Sequence, residues 1–359
     1  MKKNYFFGLF AATMLLTTSC QQENIFTEMW GEKEQTLTLN VALPEMGTAT
    51  RAYGTGVNAK YLQYAVYSLD AQDNLNKQIT LVENVVMSGT NPLGTTISLK
   101  IVPGAKYSIV LWADAYGKNG ANTPFKVSMS TEANTMVVDA SKVKTNDDMT
   151  DAFFGSYVIT ADPNETSGYV ITEYGKTDPV GTTLKLKRPF AQLNIAATNG
   201  DLKLAQQSDF TITQTSVKIE NVQNTLNLRT GQVAKSATGD ATTYLMNDIP
   251  TDWDKTTWTE HTLLAMNYIL MAADKETVKV TFFYSDGTTT KYKEYGNVPL
   301  QRNWRTNIYG ELFTNPVEIT VEIAPNFANG NGEDDDNDPN TADKDEHYSG
   351  ENGFPTTNP

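Results

Sequence analysis

The sequence predicts an all-β protein made of two β-sandwich domains in tandem, and three observations carry that prediction. Apolar and polar residues alternate with period two in many short segments. Turn-forming residues separate those segments, and a helical spacing is almost nowhere sustained. Many short strands joined by turns favour sandwiches.

The elements follow in chain order. Leu37, Leu39, Val41 and Leu43 alternate with Thr36, Thr38, Asn40 and Ala42, and Pro44 ends the run. Leu62, Tyr64 and Val66 alternate within Tyr61 to Leu69, and Tyr107, Ile109 and Leu111 do so in the next clear segment. Thr183 to Lys187, Leu193 to Ile195, Val217 to Ile219 and Leu226 to Leu228 are further short candidates. The clearest hairpin joins Val278 to Tyr284 with Thr288 to Tyr292 through Ser285-Asp286-Gly287, whose glycine tolerates positive φ. Thr262 to Ala273 reads equally as a helix or as an apolar strand, because short apolar runs fit both. Near the C-terminus Val317, Ile319, Val321 and Ile323 alternate with Glu318, Thr320, Glu322 and Ala324 before Pro325.

Lys187-Arg188-Pro189 breaks a strand pattern, since proline cannot donate to a sheet ladder. The domain boundary is therefore placed near Leu186. The expected organisation is a signal at 1–20, a segment with a separable first strand at 21–51, sandwich domains at 52–186 and 187–327, and a tail at 328–359. That tail is acidic and almost free of apolar residues, a composition that does not offset ordering entropy, so it is expected to be disordered.

Composition narrows the function. The 359 residues hold 28 basic and 42 acidic side chains, a net charge of −14, which repels phosphate backbones and argues against nucleic acid as a partner. Cys20 is the single cysteine, so neither an intramolecular disulfide nor a multi-thiolate metal site can form. It follows Lys2, Lys3, an apolar run from Tyr5 to Leu16 and the small residues Thr17-Thr18-Ser19, the order of a cleaved export signal. The run is too short for a permanent membrane span. Cys20 after small residues resembles a bacterial lipobox, with Thr17 in place of the usual leucine and Leu16 one step further out; an ordinary signal peptide with an incidental cysteine is the other reading. Gln21-Gln22-Glu23 resembles the short export signal of Bacteroidota surface lipoproteins.

The two alternating strands near the ends of the folded region each present four apolar knobs. Between the first and the rest of the chain lies Gly47-Thr48-Ala49-Thr50-Arg51-Ala52-Tyr53-Gly54, a small-residue stretch suited to proteolysis at Arg51 by a trypsin-like enzyme. Cleavage would free the first strand, and a C-terminal strand from a neighbouring subunit has the spacing to refill its groove. The other reading makes both segments ordinary edge strands of their own domains.

Together with the lipobox at Cys20, the segments Thr50 to Gly54, Leu111-Trp112-Ala113-Asp114-Ala115, Lys187-Arg188-Pro189-Phe190-Ala191-Gln192-Leu193 and Arg302-Asn303-Trp304-Arg305-Thr306-Asn307-Ile308-Tyr309 make the chain resemble the fimbrillin, or type V pilin, family of Bacteroidales. The resemblance implies two transthyretin-like β-sandwich domains, export as an outer-membrane lipoprotein, cleavage between Arg51 and Ala52 by an arginine-specific protease, removal of the strand at Leu37, Leu39, Val41 and Leu43, and assembly with other pilin subunits into an adhesive fimbria. It implies a donor strand at Val317, Ile319, Val321 and Ile323. A long extension follows Ile323, unlike stalk subunits of that family, so this segment reads alternatively as the last strand of the second domain and the chain as a tip or accessory pilin.

Sites for other chemistry are poorly supplied. Gly54 to Ala59 matches a dinucleotide fingerprint by letters but precedes a strand. His261 and His347 are the only histidines, and His347 lies in the acidic tail, so a two-histidine metal site or a histidine-based triad has little to draw on. Asp334, Asp336, Asp338 and Asp345 stand at calcium-loop spacing with Pro339 where glycine is needed. No catalytic residue, metal or cofactor is therefore expected. Trp112, Trp253, Trp258 and Trp304 are core candidates whose alternative use is stacking on sugars, which makes a glycan-binding surface lipoprotein the second functional reading.

Overall fold

A computed structural model describes residues 34–44, 55–89, 92–118, 120–162, 165, 167–207, 210–235, 241–250, 259–314 and 319–324, and the backbone of 346–349. The strands in the first half are β1 (Gln35–Ala42), β2 (Tyr61–Leu69), β3 (Leu75–Val86), β4 (Gly94–Ile101), β5 (Lys106–Asp114), β6 (Phe125–Met129), β7 (Asn134–Val138), β8 (Phe153–Thr160), β9 (Val170–Glu173), β10 (Pro179–Val180) and β11 (Thr183–Lys185). Those in the second half are β12 (Phe190–Thr198), β13 (Gln214–Glu220), β14 (Thr225–Asn227), β15 (Val233–Ala234), β16 (Ala241–Thr243), β17 (Asn247–Asp248), β18 (His261–Leu270), β19 (Glu276–Ser285), β20 (Thr290–Leu300), β21 (Arg305–Gly310), β22 (Ile319–Ala324) and β23 (Glu346–Ser349). The expected all-β sandwich class is what the chain forms.

Five sheets result. Sheet A runs β11-β1-β4 and faces sheet B, β10-β9-β8-β5-β2-β3, across one core that includes Leu39, Ile97, Ile109, Leu111 and Phe153. Sheet C runs β18-β12-β21-β22-β23 and faces sheet D, β16-β13-β19-β20 with β17 on β13, across a second core that includes Leu193, Val217, Phe282 and Val321. Sheet E, β15-β14-β7-β6, draws one hairpin from each half of the chain, joined where β7 pairs with β14. Beneath it lies a third core that takes Ala65, Tyr67, Val110 and Trp112 from sheet B and Leu263, Met266, Tyr268 and Leu270 from β18.

That third core explains a departure from simple alternation. In β5 the residues between Tyr107, Ile109 and Leu111 would face water in an ordinary two-layer sandwich. Here Val110 and Trp112 are fully buried under sheet E, as Ala65 and Tyr67 are in β2.

The segment Thr262 to Ala273 resolves as strand, in β18. The β19–β20 hairpin forms with Ser285 opposite Thr290 and Gly287 at φ +93, in a turn where Asp286 Oδ1 accepts from Thr288 N at 2.8 Å and Thr289 N at 2.7 Å. Helix appears where the pattern did not announce it, in α1 (Asn199–Gln206), started by the Thr198 hydroxyl accepting from Asp201 N at 3.1 Å. Its Asp201 carboxylate accepts from Phe313 N and Thr314 N, both at 2.9 Å, and Leu202 packs against the core between sheets C and D. Within the acidic tail, expected to carry no ordered element, Glu346–Ser349 pairs antiparallel with Thr320–Ile323; a sheet edge satisfies backbone groups whatever the side-chain composition.

Residues 186–190, where the boundary was placed, are tightly held. Arg188 is 1% exposed, donating from Nε and Nη2 to the two Asp151 carboxylate oxygens at 2.6 and 2.8 Å, with its guanidinium 4.8 Å from the Phe153 ring centroid. Burial works against its charge, but the Asp151 carboxylate and its hydrogen bonds outweigh that and hold the pKa above the ordinary arginine value.

Candidate strand-exchange groove

β1 is the middle strand of sheet A. It runs antiparallel to β4 along its whole length, from Gln35 opposite Ile101 to Ala42 opposite Gly94. Its second half also runs parallel to β11, with Asn40, Val41 and Ala42 opposite Thr183, Leu184 and Lys185. Asn40 N donates to Thr182 O and Leu186 N to Ala42 O, each at 2.9 Å, and Leu43 N donates to Leu93 O at 2.9 Å. Among the described residues β1 is the only strand that pairs with both β4 and β11.

The side chains divide as period-two alternation requires. Leu37, Leu39, Val41 and Leu43 are 3%, 0%, 1% and 3% exposed, and their sockets are made by Ile97, Leu99 and Ile101 of β4, Leu184 and Leu186 beyond, and the floor of sheet B. Two glycines let the backbones approach this closely. A Cβ on Gly94 would stand 3.0 Å from Val41 O, and one on Gly56, at φ +69, would meet Phe153 Cζ at 3.0 Å and Leu43 Cδ1 at 3.3 Å. Charge sits only at the rim, where Lys100 and Glu34 are 3.9 Å apart with side chains 63% and 62% exposed. β1 is held by shape and backbone pairing, because an ion pair so exposed adds little.

The second alternating segment has a different seat. β22 pairs antiparallel with β21, from Arg305 opposite Ala324 to Gly310 opposite Ile319, and with β23 on its other side. Ile319 and Val321 belong to the core between sheets C and D, and Ile323 is 1% exposed. Val317 lies outside the described residues, as do Cys20, Arg51 and Ala52.

Other candidates fall into place around these strands. Trp112 is fully buried, with Nε1 donating to Asp114 Oδ2 at 2.6 Å, and the Asp114 carboxyl is pushed up by burial against that bond and those from Gly117 N and Tyr116 N. Trp304 is half-buried; Trp253 and Trp258 lie outside the described residues. The His261 ring meets Tyr309 edge-on at 5.1 Å and is pulled down by burial. Residues 55–60 lead into β2 and open no helix, and the aspartates at calcium-loop spacing lie outside the described residues. Among the described residues no helix is long and apolar enough to cross a membrane.

Sequence reasoning located β1 but missed β11 as its second neighbour, the Arg188–Asp151 pair and the composite sheet E. Parallel pairing between strands about 140 residues apart leaves no local pattern, and a lone aspartate and arginine do not announce each other.

No curated protein matches the sequence. Among solved structures the chain is similar to a fimbrial assembly protein from Parabacteroides distasonis, at 14% identity and TM-score 0.40, covering 81% of this chain and 96% of that one. It is similar also to the fimbrial anchor protein Mfa2 from Porphyromonas gingivalis, at 12% identity and TM-score 0.44, with the same coverage of 81% and 96%. One family profile matches residues 27–347, nearly the whole chain, and by that match the protein belongs to the family of unknown function DUF6562.

Proposed function

We propose that this chain is a structural subunit of a bacterial surface fimbria, exported as a lipoprotein through Cys20, cut after Arg51 and assembled by strand exchange at the groove that β1 fills. The observation that carries the reading is the seat of β1: Leu37, Leu39, Val41 and Leu43 are buried, the strand pairs with β4 along its whole length and with β11 over its second half, and among the described residues β4 and β11 have no other pairing partner in common. Its removal leaves four sockets and two unpaired edges. Refilling them is worth roughly 1.5 to 3 kcal/mol per side chain before ordering costs, enough for a durable junction.

The seat of β22 favours the narrower reading of a tip or accessory subunit that accepts a strand and donates none. Val321 and Ile319 are part of the chain's own second core, so withdrawing them would open it. The glycan-binding reading loses one of its stacking candidates, since Trp112 has no exposed surface.

Limited digestion of the precursor with an arginine-specific protease tests the proposal. Cleavage at Arg51 is expected to release the segment carrying β1 and yield a compact chain that binds a synthetic 35–43 peptide. A cleaved chain that keeps its first strand, or never rebinds the peptide, would refute strand exchange. For the narrower reading, the cleaved chain alone is expected not to form ladders; ladders that vanish on deletion of β22 would show it to be a donor.

A further inference from the structure

We infer that sheet E is a clamp that pre-organises the β1 groove from behind, an inference that rests on the strand-exchange reading. Sheet B has two working faces. Leu62, Tyr64, Val66, Tyr107, Ile109 and Leu111 form the floor under β1, while Ala65, Tyr67, Val110 and Trp112 face the clamp. No residue of β1, β4 or β11 belongs to the third core. When β1 leaves, sheet A divides, yet every contact that steadies sheet B from the other side remains.

The clamp is fastened at both ends. On sheet B, Tyr67 Oη donates to Asn134 Oδ1 at 2.8 Å, Gln78 Nε2 to Met129 O at 3.2 Å, and Arg229 Nη2 to Asp73 O at 2.6 Å. On the second half, Arg302 donates from Nη2 to Gly231 O at 2.7 Å and from Nε to Met271 O at 3.1 Å, and the Phe125 and Phe190 rings lie 5.8 Å apart. The middle is the β7–β14 pairing, with Met136 opposite Leu226, both fully buried. A groove held in its binding shape loses less entropy when a strand enters, and if loosening leaves it competent a tenth of the time its affinity falls about tenfold.

Hydrogen exchange on the intact full chain tests this without any cleavage step. In the double variant Met136→Ala, Leu226→Ala, the amides of peptide 35–43 are expected to exchange faster, by a margin at least about tenfold greater than any change in peptide 214–220 of β13. Ser128→Ala, on the exposed side of β6, is the control and is expected to change neither. An unchanged rate in 35–43, or an equal acceleration in both peptides, overturns the clamp, the latter because it reports general loss of stability. Should the double variant not fold, Tyr67→Phe removes only the bond to Asn134 and is expected to accelerate 35–43 selectively, to a smaller degree; no selective effect again overturns it. Failure of strand exchange itself would appear elsewhere, as a cleaved chain that does not rebind the 35–43 peptide.

Discussion

β1 and β22 carry nearly the same pattern of apolar and polar residues, and the fold uses them oppositely. β1 pairs with partners remote in sequence, β4 from Gly94 and β11 from Thr183, so its ladder contains no hairpin. β22 follows β21 closely and pairs with it as a local antiparallel neighbour. A strand whose partners are all distant can be replaced by another chain without altering topology. A strand tied to its immediate predecessor completes its own sheet. Knob count alone does not separate these cases; the position of the bonding partners does.

The comparison breaks most sharply by charge. Val321→Asp in the full chain is expected to cost about 4 kcal/mol or more, because the position is 1% exposed and belongs to the apolar core between sheets C and D. Leu39→Asp, at 0% exposure, is expected to cost as much in the full chain. After cleavage at Arg51 and removal of the first strand, the Leu39→Asp chain should melt with the cleaved wild type while Val321→Asp stays impaired. A persisting Leu39→Asp penalty would mean that β1 had not left.

A second test asks whether the junction between the halves supports both strands. Arg188→Ala leaves Asp151 buried without its partner and is expected to cost about 3 to 5 kcal/mol in urea unfolding. The pair Arg188→Met, Asp151→Leu is expected to recover most of that loss, since the penalty comes from the orphaned charge. If the double variant is as unstable as the single one, packing of Arg188 on Phe153 is the larger contribution.

Truncation sharpens the contrast at lower cost. Leu39→Ala is expected to destabilise the full chain by about 2 to 5 kcal/mol, and a 35–43 peptide with the same change should bind the cleaved chain correspondingly more weakly. Ile323→Val, a single methylene at 1% exposure in β22, is expected to cost only about 0.5 to 1.5 kcal/mol and to leave peptide binding unaffected.

The smallest effect concerns the loop after β7. Ser141, with Lys126 assisting, pulls the Asp139 carboxyl from 3.8 down to about 2. A depressed carboxyl stabilises the fold above its unfolded pKa, and that share is lost as pH falls from 3.8 toward about 2. Asp139→Asn removes this share, so the variant is expected to be slightly less stable at neutral pH, by about 0.5 kcal/mol, and to converge with wild type as pH falls toward about 2.

What the sequence by itself determined is what local alternation can encode: the all-β class, the strand at 36–43 with its four inward residues, and the β19–β20 hairpin with its glycine turn. Each depends on residues within a few positions of one another, where side-chain direction follows directly from backbone period. The helical alternative for Thr262 to Ala273 was decided by tertiary structure, because an apolar run fits any buried element and the antiparallel ladder with β12 makes it a strand. Tertiary structure alone also decided that β5 is buried on both faces, that Arg188 meets Asp151, that β11 closes the far side of β1, and that hairpins from the two halves merge into sheet E. These contacts join residues tens to more than a hundred positions apart, and their energy depends on what stands opposite in space, which no local pattern of one chain records.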